Sequence, residues 1–240
     1  MERLSLTSFG RQPVTAGQLA TLKQMEMGSG IEVVSKWDVL RDVTVVRCDL
    51  GLNDRDVSVL GALLSFHPGK DLKPGSPIVV FPSNRSLAER AHGMAESTLR
   101  RHLANLVKAG LILRHDSPNG KRYARKGPGG VIALAFGFDL SPLVHLAGEL
   151  AFAAQRLREE HAALLASRER SVLMVRDAGK LIAYGLEATP DDPRWCELQE
   201  VLRDAQRRLR RKPTTDGMAE LQGLCERLSL IHISEPTRPY

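Results

Sequence analysis

Ser97, Thr98, Arg101, Asn105 and Lys108 are residues whose types and spacing could do chemistry together, and that chemistry is recognition of nucleic acid. On a helix advancing about 100° per residue, with Leu99 at zero, they fall at roughly 160–260°. Leu103, Leu106 and Val107 lie within about 80° of Leu99 and form an opposing apolar stripe. Arginine suits guanine edges and asparagine suits adenine, while serine, threonine and lysine hold the sugar-phosphate backbone. Arg100 and His102 flank this face, where they would touch the backbone or a preceding helix, and His115 is expected to border the same surface. Lys121, Arg122, Arg125 and Lys126 follow an Asn119-Gly120 turn and are expected to form a basic wing along phosphates or the minor groove.

The charge distribution agrees with that chemistry. Residues 84–126 hold ten Lys/Arg against three Asp/Glu, a surplus of seven. The chain totals of 34 and 28 leave 24 basic and 25 acidic residues elsewhere. A surplus so localised is the footprint of a polyanion partner.

The elements that must position these residues can be read around them. Ser83 caps a short helix, with Ser86 and Glu89 as an alternative capping box, and His92-Gly93-Met94 ends it. A second helix spans about 96–109 and stops at Gly110. Residues 111–114 and 121–125 flank the Asn-Gly signal and are expected to pair as a hairpin. Upstream, Asn53 caps a helix with Val57, Leu60, Leu63 and Leu64 on one face. Residues 78–81 read as a buried strand, and the alternation of Val43, Val45 and Val46 within 37–50 suggests another. Gly127-Pro128-Gly129-Gly130 reads as a turn before the apolar run 131–136.

Beyond residue 140 the pattern becomes helical. Ser141-Pro142 opens a helix with Leu143, Leu146, Leu150, Ala153 and Leu157 at three-four spacing, a possible dimerisation face or a face packed on its own domain. Glu159-Glu160 is expected to interrupt it. Pro193 starts another helix with Leu198, Val201, Leu202, Ala205 and Leu209 on one side. Its basic end, residues 207–212, reads as a solvated helix terminus in preference to an auxiliary DNA contact. Residues 1–35 are expected to be a flexible arm, with one helix over 16–27. Residues 229–240 break the helical pattern and resemble translated sequencing-adapter read-through. They are expected to be a non-native tail that cuts off a C-terminal region.

Several function classes find little support. Cys48, Cys196 and Cys225 are widely separated with no CxxC pair, which disfavours a disulfide framework or zinc site and fits a cytoplasmic protein. No apolar run reaches the ~18–20 residues needed to span a bilayer, and the first residues lack a secretory pattern. Around Gly179-Lys180, Met174 and Leu181 replace the glycine and hydroxyl of a phosphate-binding loop. No enzyme activity, metal or cofactor is expected.

The string from Phe81 to Lys126 (FPSNRSLAERAHGMAESTLRRHLANLVKAGLILRHDSPNGKRYARK) resembles RepC-type plasmid replication initiators. LNDRDVSVLGALLSFHPG before it, AFGFDLSPL after it and FGRQP at Phe9–Pro13 extend the resemblance over about residues 8–228. The resemblance implies a winged-helix domain similar to that of MarR-type regulators, which binds double-stranded DNA at a plasmid origin and starts replication with the host replication machinery. The expected fold is mainly α with a small β-hairpin wing (α+β): a winged helix-turn-helix over 36–140, then a helical extension over 141–228. A winged-helix transcriptional regulator is the rival reading, and a helical adaptor for an acidic protein is a third.

Overall fold

The computed structural model describes residues 33–74, 78–115, 117, 122–126 and 132–229. The expected arm up to residue 32, Lys121, the Asn119-Gly120 and Gly127–Gly130 segments, and the tail from residue 230 lie outside the described residues. The chain is mainly helical with small antiparallel sheets, an α+β architecture. It forms two compact units that divide between Leu157 and Arg158.

The first unit starts with β1 (Val34–Ser35) and α1 (Lys36–Val46). The strand expected around Val43–Val46 is this helix instead. Val39, Val43 and Val46 are buried at helical spacing, and a continuous buried stripe outweighs the β preference of three valines. The helix α2 (Asp54–Ser65) begins with a complete capping box. The Asn53 side chain accepts from Arg55 N and Asp56 N at 2.9 and 3.0 Å, and Asp56 Oδ2 accepts from Asn53 N at 2.8 Å. Its Val59, Leu60, Leu63 and Leu64 face the core.

After β2 (Asp71–Leu72), which pairs antiparallel with β1, come β3 (Val79–Val80), α3 (Asn84–Arg90) and α4 (Glu96–Lys108). Ser83 caps α3 by accepting from Ser86 N at 3.0 Å. Between α3 and α4 the backbone is left-handed at two successive residues, His92 (φ 60°) and Gly93 (φ 70°). Glycine adopts that conformation without steric cost, so it sits where the chain must reverse tightly.

Three further strands complete the unit: β4 (Leu113–His115), β5 (Tyr123–Lys126) and β6 (Ile132–Asp139). β6 is the centre of the sheet. It pairs antiparallel with β3 through Val80↔Phe138, with β4 through Arg114↔Phe138, and with β5 through Ala124↔Ala135. The hairpin expected between β4 and β5 is therefore not formed. Both strands run antiparallel to β6, so they run in the same direction and cannot face each other across a tight reversing turn. The strands paired antiparallel in succession are β5 and β6. At Gly137 a Cβ would sit 2.2 Å from the Val80 carbonyl oxygen, so the close approach of β3 to β6 requires glycine.

Phe138, Leu99, Leu106, Leu111, Ile112 and Leu140 are fully buried in one core under the sheet and the helices. The first turns of α5 (Ser141–Ala188) complete it with Leu143, Val144, Leu150 and Ala154. The three-four spacing of residues 143–157 thus packs on its own unit. Asp139 opens α5 by accepting from Ser141 N at 2.8 Å and from Ser141 Oγ. Glu159-Glu160 does not interrupt the helix, which runs for 48 residues, since glutamate is a good helix former on an exposed face.

The second unit packs the later part of α5 with α6 (Arg194–Leu209) and α7 (Thr215–Ser229). Its core holds Val175, Ala178, Ile182, Val201, Ala205, Met218, Leu221, Cys225 and Leu228. Trp195 Nε1 donates to Thr189 Oγ1 at 2.9 Å and ties the start of α6 to the end of α5.

Candidate nucleic-acid interface

The site is built on α4. Its buried stripe is Leu99, His102, Leu103 and Leu106, with His102 taking the place expected for Val107. On the same projection this centres the stripe near 350° rather than about 25°. The outward face is then centred near 170°, where Ser97, Lys108 and Arg101 stand. All three are exposed, and among the described residues neither Arg101 nor Lys108 has an ion-pair partner. Thr98 and Asn105 are half-buried at the rim, as the rotated stripe requires.

His102, expected at the edge of a DNA surface, is a core residue. Its Nδ1–H donates to Asp56 Oδ1 at 2.8 Å, with both side chains almost wholly buried. Asn105 Nδ2 donates to the same oxygen at 3.1 Å. Asp56, the third residue of α2, therefore gathers the α2 cap and two side chains of α4. This seam fixes the rotation of α4 about its axis, and Asn105 is held by it. His102 Nε2 is buried and has no hydrogen-bond partner among the described residues.

A second polar chain crosses the N-terminal end of α4. Asn84 Nδ2 and Arg100 Nη2 both donate to Glu96 Oε1, at 2.6 and 2.7 Å. These hydrogen bonds, first that of Asn84 and then that of Arg100, hold the Glu96 carboxyl below the ordinary glutamate range. Arg122 Nη1 donates to Asn84 Oδ1 at 2.9 Å and to the Pro82 carbonyl at 3.1 Å, and its guanidinium lies 4.4 Å from the Phe138 ring centroid. Arg122 is thus half-buried and tethers the start of β5 to α3. Arg125 and Lys126 lie in β5 opposite Leu134 and Ile132. Lys121 falls outside the described residues.

Arg90 is likewise structural. It donates to Ser65 Oγ at 2.8 Å and stacks 3.7 Å over the Phe66 ring, holding α3 on α2. His115 Nε2 donates to Asp139 Oδ2 at 3.2 Å. Burial alone would raise the Asp139 carboxyl, but the bonds from His115 and Ser141 outweigh it and bring it below the ordinary aspartate value. The Asp56 seam had one signal in the sequence, an acid three residues after the helix-capping Asn53. The Asn84–Glu96 link had none.

The outer face of α4 can donate hydrogen bonds and positive charge into a groove about one helix wide. Among the described residues no group of three or more His, Cys, Asp or Glu could hold a metal, and no helix is long and apolar enough to cross a membrane.

No solved structure matches the chain. Residues 12–186 match the family model described as "Replication protein C N-terminal domain". The chain is 42% identical over 228 residues to "Putative replication protein C" of Rhizobium rhizogenes, an overlap covering 94% of this chain and 55% of that protein. It is 45% identical over 185 residues to the protein of the same name from Sinorhizobium fredii (strain NBRC 101917 / NGR234), covering 77% and 46%. The chain spans about half the length of the curated relatives it matches. On the match to the family model and on these identities, the chain belongs to the replication protein C family.

Proposed function

We propose that this chain is the origin-binding part of a plasmid replication initiator and grips double-stranded DNA with a winged helix-turn-helix. The order α2, β3, α3, α4, β4, then β5–β6 supports this reading, since a winged helix-turn-helix would use such a sequence of helix, strand, helix pair and wing. The observation that carries the reading is the outer face of α4. It presents Ser97, Arg101 and Lys108, exposed and with both cations uncompensated among the described residues, opposite a buried stripe and just after a tight turn.

In this reading α4 lies in the major groove. Arg101 reads a guanine edge, Ser97 and Thr98 approach base edges from the leading turn, and Lys108 holds a phosphate. Arg100 exchanges its exposed pair with Glu96 for a backbone contact, since such surface pairs are worth little. Asn105 serves by fixing the rotation of α4 from the rim. Lys121, Arg125 and Lys126 follow phosphates as the wing, and Arg122 anchors that wing to α3. The chain works without a catalytic step of its own. It deforms the origin, and host helicase and polymerase do the chemistry. The names of the relatives favour replication over transcriptional control.

The test is binding to an origin fragment by fluorescence anisotropy, beside plasmid maintenance in cells. Arg101→Ala should weaken origin binding by about 1–3 kcal/mol, roughly tenfold or more, and abolish maintenance. With five to seven phosphates neutralised, wild-type affinity should fall by about two to four decades over a fourfold rise in salt. Unchanged origin affinity in the variant would refute the α4 assignment. Promoter occupancy with normal plasmid copying would move the protein to transcriptional control.

A further inference from the structure

The basic end of α6 does more than face solvent. A cleft of about 240 Å³ lies in the second unit between α5, the 210–214 connection and α7, lined by Arg168, Arg208, Arg211, Lys212 and Glu220 among others. It is below the ~300–1,000 Å³ of pockets that enclose larger organic ligands, and its size suits a small group such as one anion. Arg208 is spent inside the protein, donating to Asp204 at 3.2 Å and pairing with Glu220. The other three cations have no carboxylate partner among the described residues. Arg168 is half-buried, and its hydrogen bond among the described residues is from Nη2 to the Leu209 carbonyl at 3.0 Å, with no carboxylate partner. Arg211 and Lys212 are exposed and form no ion pair among the described residues. Thr214 Oγ1 already accepts from Gly217 N at 3.2 Å, so α7 is capped by its own residue and the cations alone carry the attraction.

A half-buried guanidinium without a counter-ion is a standing cost that a bound anion relieves, and its fork matches two oxygens of a phosphate. We propose that this cleft binds a phosphate of a DNA strand, Arg168 supplying the fork and Arg211 and Lys212 the surrounding charge. It would be a second, sequence-independent contact made by the second unit. The proposal rests on the reading that the chain binds DNA but uses no residue of α4.

The test uses the full chain with two duplexes, an origin fragment and a random sequence, titrated by anisotropy at several salt concentrations. Arg211→Gln/Lys212→Gln alters only exposed side chains, and its thermal midpoint should match that of the wild type. It should weaken both duplexes alike, by about tenfold, and reduce the salt slope by roughly two. Arg168→Lys keeps the charge and should weaken both duplexes with the slope retained. Arg101→Ala should instead cost the origin fragment more than the random one. If the double variant leaves affinity and slope unchanged, the cleft is not a DNA contact. If it acts while Arg101→Ala does nothing, the cleft stands and the α4 reading falls. A midpoint raised by inorganic pyrophosphate in wild type but not in the double variant, with duplex affinity unaltered, would make the ligand a free phosphate and overturn the strand assignment.

Discussion

The outer face of α4 and the entry to β5 were both expected to offer cations to DNA, yet they treat them in opposite ways. On α4 the charged residues Arg101 and Lys108 stay outside, while the polar residues turned inward are His102 and Asn105. At β5 it is a cation, Arg122, that turns inward, onto Pro82 O, Asn84 and the Phe138 ring. Both inward turns are made toward acceptors that folding would otherwise leave short of donors: the Asp56 carboxylate in one case, the Pro82 carbonyl and the Asn84 amide oxygen in the other. Position within a basic segment does not decide whether a cation is free to meet a polyanion; the unmet acceptors nearby do.

The sharpest way to break the contrast is to remove the acceptor that turns α4. Asp56 accepts from His102, Asn105 and Asn53 N. Asp56→Ala should cost about 3 kcal/mol or more of stability, because it leaves buried donors unpaired and removes half of a capping box. Urea unfolding measures this, and a loss under about 1 kcal/mol would mean that the seam does not set the rotation of α4. Asn105→Ala should cost about 1 kcal/mol, and its effect on DNA binding should be far smaller than that of Arg101→Ala.

The legibility of the fold follows the same division. Helices with a three-four stripe, such as α2, α4 and α6, can be read directly because that signal is local, and α2 adds the capping box of Asn53. At α1 the alternation of Val43, Val45 and Val46 fits a strand, but it is Val39, Val43 and Val46, at helical spacing, that share the buried face. The Asn-Gly signal predicts a hairpin between residues 111–114 and 121–125. The partner of both strands is β6, and such pairing is set by the sheet rather than by the connecting sequence. At the site, the outward residues of α4 were legible from periodicity. The burial of His102 was not, since its partner Asp56 lies on another helix, 46 residues away.

A middle-sized effect sharpens the other side of the comparison. Arg122→Ala removes at least the hydrogen bonds to Pro82 O and Asn84 Oδ1 and a stacked ring contact, and should lower stability by about 1–3 kcal/mol. The salt slope of DNA binding should stay as in wild type, because this cation is engaged within the fold. Arg122→Lys should recover little stability, since an ammonium cannot reproduce the planar fork. A slope lowered by about one with stability intact would place Arg122 on a phosphate and erase the contrast with α4.

The smallest effect separates a carboxylate held by neighbours from one free in solvent. Asp139 ends β6 and caps α5, and its folded pKa lies below the unfolded value of about 3.9 despite its burial. Between those two values the unfolded chain binds more protons than the folded one, so stability rises with pH there. The contribution is fully present above about pH 4 and is lost as pH falls through the lower, folded value. Asp139→Ala should therefore cost about 1 kcal/mol at neutral pH through the lost cap, with the gap to wild type narrowing below about pH 4. Urea midpoints at several pH values read this directly. A gap that persists unchanged in acid would mean that Asp139 contributes as a packed side chain rather than as a charge held by His115 and Ser141.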